Sequence, residues 1–564
     1  MNIFSPFDLN KFRCFSQHQK LIQKTPNFEA DTLRLACALP PNSKIILWFK
    51  QSHFFIQALI AAWKSKSEVF ILSDISDTNK LWAEQQDFCL TDDPSLELAI
   101  PCYLISDLDW QKVRFIVDMQ QGISLTSVLW LKTSGSTGAP KIIRKTLWQF
   151  KSEAEMLKKH FNISERYLIL NSVSQQHLYG LTFCIMLPLF SYAAISSNQL
   201  LFPELVAEYA KASDQPIIWI ASPMLLRHFT ESYPWSVFKQ KIHCIFSAGG
   251  PLSEKTSLLF TDNQIVINEI YGSTETGVIA TRQGFGDWEK VETVIFERQR
   301  DKISVCSQWL PKPEILSDLL EFTDENHFVL RGRMDRILKL ADKRISLHQI
   351  EQHLEDSPLV DECHCFKHPE KTRLISLICL TDEGIKVLRE YGRKALTDRL
   401  AGWTKEALGA VATPRFWRFV ARIPRNSQGK IVKSEALKLF EDKPRQPEWQ
   451  GDFTAFDLNQ SETRHFTAVI PVDLYYFSGH FLTFPLVPGV VQLQWAVQLA
   501  VRLGIRSAVL KIENLKYQQF TRPNDRVNLS LSWNSHKQKL SFVLTKIERE
   551  ENLVCGSGRI VFGV

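Results

Sequence analysis

The hydrophobic pattern of this chain changes period once, and that change constrains its architecture more than any other feature. Over residues 44–335 short apolar runs alternate with helical stretches. Lys44-Ile45-Ile46-Leu47-Trp48-Phe49 reads as a buried strand, 54–63 as a helix and 68–72 as the next strand. Ile217-Ile218-Trp219-Ile220 and His243-Cys244-Ile245-Phe246 are strand-like again, each followed by Gly, Pro or Ser. Such alternation predicts an α/β layered domain. Residues 336–441 mix short strands, such as Leu374-Ile375-Ser376-Leu377-Ile378, with helical stretches such as 382–392, and predict a small α+β domain. Two prolines among charges in Glu441-Asp442-Lys443-Pro444-Arg445-Gln446-Pro447 suit neither helix nor strand, so 442–451 reads as a linker. Beyond it, over 452–564, the period becomes two. Phe466, Ala468, Ile470 and Val472 alternate with other residues, as do Val527, Leu529, Leu531 and Trp533, and then Leu540, Phe542 and Leu544. These predict antiparallel strands with one buried face. Between them lies PGVVQLQWAVQLAVRLG, with proline at its start and glycine at its end. It is apolar on nearly every side, so the sheet is expected to wrap it as a central helix.

Composition narrows the remaining classes. At roughly 150 residues per domain, 564 residues make three or four domains. A chain that is 45% hydrophobic and 23% charged excludes disordered and collagen-like architectures. The balance of 67 basic and 61 acidic residues, net +6, gives no reason to expect nucleic acid. The 11 cysteines are scattered, and the one close cluster, Cys363-His364-Cys365, offers fewer ligands than the four a structural zinc usually takes. The start, MNIFSPFDLNKFRCF, lacks a basic segment followed by an apolar stretch, so no secretory signal is expected. The longest mostly apolar run, 181–196, is about 16 residues with Pro188 inside it, short of the ~20 a membrane span needs, and reads as core. The expectation is a soluble cytoplasmic protein with reduced thiols.

The strongest local signal is Thr133-Ser134-Gly135-Ser136-Thr137-Gly138-Ala139-Pro140-Lys141. Glycines let backbone amides approach an anion, hydroxyls donate hydrogen bonds and the lysine supplies charge. The spacing is not that of a Walker loop, and by itself the segment reads rather as a flexible surface loop. Four further segments follow in order: Ser247-Ala248-Gly249-Gly250-Pro251-Leu252; Tyr271-Gly272-Ser273-Thr274-Glu275-Thr276-Gly277; Ser317-Asp318 with Gly332-Arg333-Met334-Asp335 fourteen residues on; and Pro424-Arg425-Asn426-Ser427-Gln428-Gly429-Lys430. Over about residues 40–435 this series resembles the adenylate-forming superfamily, which includes acyl- and aryl-CoA synthetases.

The resemblance implies ATP and Mg2+ as cofactors and a set of roles. The 133–141 loop would bind phosphates. Gly249, Gly250 and Pro251 would line the adenine and acyl pocket, and Tyr271 and Gly272, in the core motif, would bind ATP. Thr274 would contact phosphate and Glu275 would hold Mg2+, while Asp318 and Arg333 would bind ribose. Lys430 would be the catalytic lysine of a small C-terminal lid that rotates about a hinge at Asp335, letting a thiol, CoA or the phosphopantetheine of a carrier protein, enter to form a thioester. Without these neighbours Lys430 is a solvated lysine and Asp335 a turn or cap residue. His177, in Gln176-His177-Leu178-Tyr179-Gly180, resembles an aromatic-or-histidine position at the acyl pocket, and also reads as a core histidine. Two departures stand out. Asp342 replaces the glycine past which a pantetheine arm usually runs, which bears on thioester formation and leaves adenylation untouched. About 130 residues precede the loop, fewer than in many members of the superfamily.

The tail carries a second signal, Gly479-His480-Phe481-Leu482-Thr483-Phe484-Pro485-Leu486-Val487-Pro488-Gly489-Val490, followed by Ile512-Glu513-Asn514-Leu515-Lys516-Tyr517-Gln518-Gln519-Phe520-Thr521-Arg522-Pro523-Asn524-Asp525. A histidine suits proton abstraction beside a thioester, and a helix N-terminus at Gly489 suits polarising the thioester carbonyl. Both segments resemble the hot-dog fold 3-hydroxyacyl-carrier-protein dehydratases over 452–564. That likeness makes His480 the base and Gln494 the departure, because the family usually places Glu or Asp there to protonate the leaving hydroxyl. A glutamine cannot donate a carboxylic proton, and it also reads as a polar residue hydrogen-bonded within the helix packing. The family builds its site across a dimer, which implies a homodimer through the tail. The whole is similar to components of aryl-polyene pathways, with an acyl carrier protein as the implied partner. It reads as a ligase and dehydratase in one chain, or as an acyl-CoA synthetase with an inactive, acyl-carrier-binding tail.

Overall fold

The computed structural model describes residues 5–563, apart from 17–18, 25–26, 108–114, 116, 119–120, 134–140, 300–301, 341–342, 426–430 and 549–550. The chain divides into two compact units, with the boundary between Arg331 and Gly332.

Among the described residues, the first unit is built on an eleven-stranded sheet and a six-stranded sheet. The larger sheet has a parallel centre of Ala194–Ser196, Leu168–Asn171, Ile217–Ala221, Ile242–Ser247 and Ile267–Ser273. Its antiparallel flank begins with Gly277–Gln283. The smaller sheet runs Lys44–Trp48, Glu68–Ile71, Phe88–Thr91 and Cys102–Leu104 in parallel, and it ends in an antiparallel pair, Val128–Thr133 with Lys141–Thr146. These parallel strands are buried on both faces, which is why they read as continuous apolar runs. The helix Ser52–Lys64 is buried on nearly every side, consistent with its all-round apolar sequence.

The apolar run 181–196 folds as interior. Leu181–Met186 is a π-helical stretch, Leu187–Ser191 continues it, and every residue from 181 to 191 is buried. Among the described residues no helix is long and apolar enough to cross a membrane.

The second unit holds a middle module and a tail module. The middle module packs Leu347–Glu355, Asp382–Leu408 and Lys433–Glu441 with a three-stranded sheet of Val360–Lys367, Leu374–Leu380 and Phe416–Phe419. Strand alternation splits the Cys363-His364-Cys365 cluster. The two thiols turn inward 3.7 Å apart, while His364 meets Glu351 at 2.8 Å.

The tail module is a six-stranded antiparallel sheet around the helix Gly489–Arg502. Val527, Leu529, Leu531, Leu540, Phe542 and Leu544 pack on Val491, Trp495, Ala496 and Leu499, as the two-residue period predicts. The 442–451 segment is folded onto this module. The carbonyl of Pro444 accepts from Tyr475 N at 2.9 Å, that of Arg445 accepts from Trp495 Nε1 at 3.1 Å, and Gln450–Gly451 pairs with the strand Glu462–Val469. Trp449 adds its ring to the core, which a reading of local breakers does not reveal.

Candidate active sites

In open α/β sheets ligands bind beyond the carboxyl ends of the parallel strands. In the first unit those ends are Asn171, Ala221, Ser247 and Ser273, and the segments marked by the sequence follow three of them. His177 caps the helical run after Asn171 and is half-buried, with its carbonyl accepting from Leu181 N at 2.8 Å. Two residues on, the Tyr179 hydroxyl donates to the carbonyls of Phe246 at 2.7 Å and Ala221 at 3.2 Å, tying two strand ends together. Ser247 leads into Gly249, Gly250 and Pro251, and neither glycine has a neighbour within 4 Å of where a side chain would start. That open space suits a flat base. Glu269 braces this turn by accepting from Leu252 N at 3.3 Å while Arg282 pairs with it at 2.6 Å.

The turn after Ser273 presents Thr274 and Glu275. Gly272 closes against Gly277, where a Cβ would stand 2.1 Å from the Gly277 carbonyl oxygen, so no larger residue fits that crossing. The Tyr271 hydroxyl meets Asp318 Oδ2 at 2.9 Å, which brings a core-motif residue and a ribose candidate together. Thr133 and Lys141 face each other as the last pair of their hairpin. The Lys141 ammonium lies 3.7 Å from the Glu275 carboxylate, so the phosphate-loop lysine and the metal candidate share one place. Ser134, Gly135, Ser136, Thr137 and Gly138 lie outside the described residues. Mg2+ takes hard oxygen ligands. The part-exposed Glu275 carboxylate fits that demand.

Three buried side chains that sequence reasoning missed hold this turn by its backbone. Lys145, 1% exposed, donates to the Glu275 carbonyl at 3.3 Å. Trp309 Nε1 donates to the Thr276 carbonyl at 2.8 Å, and Glu153 accepts from Val278 N at 2.7 Å. Burial pushes the Lys145 ammonium down and the Glu153 carboxyl up from their ordinary values, while their mutual attraction opposes both shifts. One signal was available: Glu153 falls on the apolar stripe of Leu147–His160, with Phe150, Ala154 and Leu157.

In the second unit Arg333 forks onto Asp335, Nε to Oδ1 at 2.9 Å and Nη2 to Oδ2 at 3.3 Å. Lys430 and Asp342 lie outside the described residues.

In the tail, His480 is half-buried in the loop that follows the turn Tyr475–Ser478, and it is flanked by exposed Phe481, Leu482 and Phe484. The central helix opens at Gly489, whose carbonyl accepts from the Tyr517 hydroxyl at 2.6 Å. Gln494 lies on the exposed face of this helix, and Gln492 is the glutamine that turns inward, toward Gly556. Among the described residues no hydrogen bond links His480 to Gln494.

The fold and the first site define an AMP-binding, adenylate-forming architecture, followed by an antiparallel hot-dog domain. Family models agree: residues 124–297 match the AMP-binding enzyme, 349–430 the AMP-binding enzyme C-terminal domain and 457–559 the ApeI-like family, described as ApeI dehydratase. The chain thus carries an AMP-binding enzyme domain, its C-terminal domain and an ApeI-like dehydratase domain of hot-dog type.

Curated relatives include a 4-coumarate–CoA ligase of Rhodobacter capsulatus, 26% identical over 56% of this chain and 77% of its own length. Another is a 3,4-dihydroxybenzoate–[aryl-carrier protein] ligase of Bacillus anthracis, 22% identical over 53% of this chain and 71% of its own. Among solved structures, the o-succinylbenzoate CoA synthetase of Bacillus subtilis in complex with its acyl-adenylate superposes with a TM-score of 0.62 at 17% identity, covering 72% of this chain and 92% of that one. ATP-bound MatB from Rhodopseudomonas palustris gives 0.63 at 14%, covering 74% and 93%. At such identities these structures speak for the fold.

Proposed function

We propose that the front of this chain activates a carboxylic acid, aryl or fatty, with ATP and passes it to a thiol, and that the tail dehydrates a 3-hydroxyacyl thioester. The observation that carries the first half is the convergence of Lys141 on Glu275 beside the Tyr271–Asp318 pair, beyond the ends of the parallel strands. A carboxylate oxygen attacks the α-phosphorus, the bond to the bridging oxygen breaks and pyrophosphate leaves, giving an acyl-adenylate. Negative charge builds on the phosphoryl oxygens, and fixed cations and hydroxyls already in place offset it without reorganising. Lys141 and Thr274 supply that environment, with Lys430 in the role its motif implies. Glu275 holds Mg2+, which when bound supplies further positive charge there. Tyr271, Asp318 and Arg333 fix the nucleoside, and Gly249, Gly250 and Pro251 border its base. In the second half-reaction the thiol of CoA or of a carrier-protein phosphopantetheine attacks the acyl carbon and AMP leaves. A rotation of the C-terminal domain at Asp335 exchanges Lys430 for the thiol.

In the tail, His480 takes the proton from C2 of the thioester and returns it to the C3 hydroxyl, which departs as water. The start of the central helix at Gly489 polarises the carbonyl. Gln494 orients rather than protonates. The edge strand Val509–Tyr517, with Leu510, Ile512 and Leu515 exposed, supports pairing of two tails in a homodimer. The lack of a carboxyl group at Gln494 favours one second reading, a tail that binds acyl carriers without turning them over.

Pyrophosphate exchange into ATP across a panel of aryl and fatty acids tests the front. One acid class supports exchange, and Lys430→Ala lowers it at least tenfold. Exchange unchanged in that variant removes Lys430 from the mechanism.

A further inference from the structure

The loop that carries His480 is rooted in its own core through Leu474, Phe477 and Val487, whose N donates to the Thr521 carbonyl at 2.8 Å, and the middle module adds contacts at both of its ends. Seven residues before the histidine, Asp473 is buried at 4% exposure and stands among cations from outside the hot-dog fold. Arg393 Nη1 reaches its Oδ1 at 2.6 Å, Lys443 Nζ lies at 3.5 Å from the same oxygen, and Arg418 pairs with Oδ2. Burial acts to raise the Asp473 carboxyl, but Arg393, Arg418 and Lys443 outweigh it and hold the group below the ordinary carboxylate range. Arg393 also donates to the Trp417 carbonyl, so its position is set from within the middle module.

Just after the histidine, the chain presses against Gly392. This glycine interrupts the helix Asp382–Leu408 with φ 80° and ψ 173°, and a Cβ there would stand 2.0 Å from the Leu482 carbonyl oxygen and 2.8 Å from Thr483 Cα. That positive φ at the kink is a conformation glycine adopts far more readily than any residue with a side chain. Here the backbone it exposes is the surface on which residues 482 and 483 rest. A third anchor follows. Arg522 donates from Nε to the Pro485 carbonyl at 3.3 Å, covers the Phe484 ring at 3.7 Å and bonds the Arg389 carbonyl of the same helix. Arg389 in turn pairs with Asp525 at 2.8 Å.

We infer that the middle module is a working part of the hot-dog site: Arg393, through Asp473, and Gly392, through Leu482 and Thr483, are positioning residues for His480. The inference rests on the reading of His480 as the base. A histidine in a loop has the geometry its ends allow, and the Asp382–Leu408 segment of the neighbouring module contacts both of these ends, through Arg393 and Gly392. Loosening either end lowers the fraction of time the imidazole spends within reach of the C2 proton, which reduces turnover more than binding.

The test uses the full-length chain and the 3-hydroxyoctanoyl thioester of N-acetylcysteamine. Arg393→Ala and Gly392→Ala each lower kcat for loss of water at least tenfold with KM within twofold. Arg393→Lys, which keeps the charge, recovers part of the loss. In parallel, amide hydrogen exchange over 474–487 quickens at least tenfold in both alanine variants, while the strand Arg526–Asn534 keeps its protection. If the wild-type protein turns over no thioester, the reading of His480 as base fails, and exchange over 474–487 alone judges the anchors. If Arg393→Ala unprotects the sheet as well, Arg393→Lys is judged in its place by the same two criteria. Turnover and exchange within twofold of wild type in Gly392→Ala and the arginine variants overturn the inference.

Discussion

The two candidate sites hold their chemistry in different ways. In the front, the turn that presents Thr274 and Glu275 is gripped through its backbone by Lys145, Trp309 and Glu153, all within the same unit. In the tail, the loop that presents His480 is rooted in its own core through Leu474, Phe477 and Val487, and its ends also rest on Arg393 and Gly392 of the middle module. The Thr274–Glu275 turn is held from within its own unit, whereas the His480 loop leans in addition on a neighbouring module. A turn held by buried hydrogen bonds is as rigid as the core beneath it. A loop held at its ends is as rigid as the interface it rests on, so changes remote from the histidine reach it.

The largest effect that separates the two regions comes from Asp473→Ala. It leaves Arg393, Arg418 and Lys443 without their shared carboxylate. Breaking a buried pair costs about 3–5 kcal/mol. Denaturant unfolding followed by a tail tryptophan shows that loss, while pyrophosphate exchange by the front stays within twofold. Equal damage to both activities would merge what the structure separates.

Next comes Lys145→Met, which removes the cation under Glu275. A misplacement of about 1 Å costs on the order of 100-fold in rate. Exchange falls by about that factor and its half-saturating Mg2+ rises, while tail dehydration is unaffected.

Acid distinguishes the regions a third way. Burial lowers the His53 imidazole to about 4, with its Nδ1 2.8 Å from Ser197 Oγ. Between that value and the ordinary 6.5 the unfolded chain binds more protons, so stability falls as pH drops. From pH 7 to 5 the front loses about 2 kcal/mol through this residue, and His53→Gln removes that part of the slope. Asp473 acts with the same sign in a more acidic window. Its folded value lies below the ordinary 3.8, so its contribution persists above that range and is lost only as pH falls through the lower folded value. Urea titrations at pH 7, 6 and 5 on wild type and His53→Gln measure the difference.

The smallest effect is Tyr271→Phe, which removes the hydroxyl that meets Asp318. One hydrogen bond contributes about 1 kcal/mol, so KM for ATP rises about fivefold with little change in kcat.

Much of this was legible in the sequence because both chemistries are written in contiguous strings. The hydroxyl- and glycine-rich segment ending at Lys141, the turn Gly272–Gly277 and the stretch from His480 to Gly489 each carry their residues within one short run. The period-two tail and the mostly apolar helix Gly489–Arg502 likewise declared a sheet packed on a helix, because burial on one face imposes its period on the letters. What escaped was set by distant contacts. Lys145 is an ordinary strand lysine until the turn at Glu275 packs over it, 130 positions away. Asp473 has no local signature, since its three cations lie on other segments. Gly392 reads as a helix fault until Leu482 is placed against it. The 442–451 segment reads as a linker because prolines and charges break local structure, and its ties to the tail, through the Pro444 and Arg445 carbonyls, the Trp449 ring and the Gln450–Gly451 pairing, are all made to distant residues.

The central claim, that the front makes a mixed anhydride of an acid and AMP, is tested most directly with a carboxylate labelled in both oxygens with 18O. After ATP, Mg2+, the acid and a thiol are turned over by the full-length protein, mass spectrometry of the released AMP reads the outcome. The account predicts AMP carrying one 18O atom, because the carboxylate oxygen that attacks the α-phosphorus stays there when the thiol takes the acyl group. AMP with no label, or ADP in its place, would contradict it.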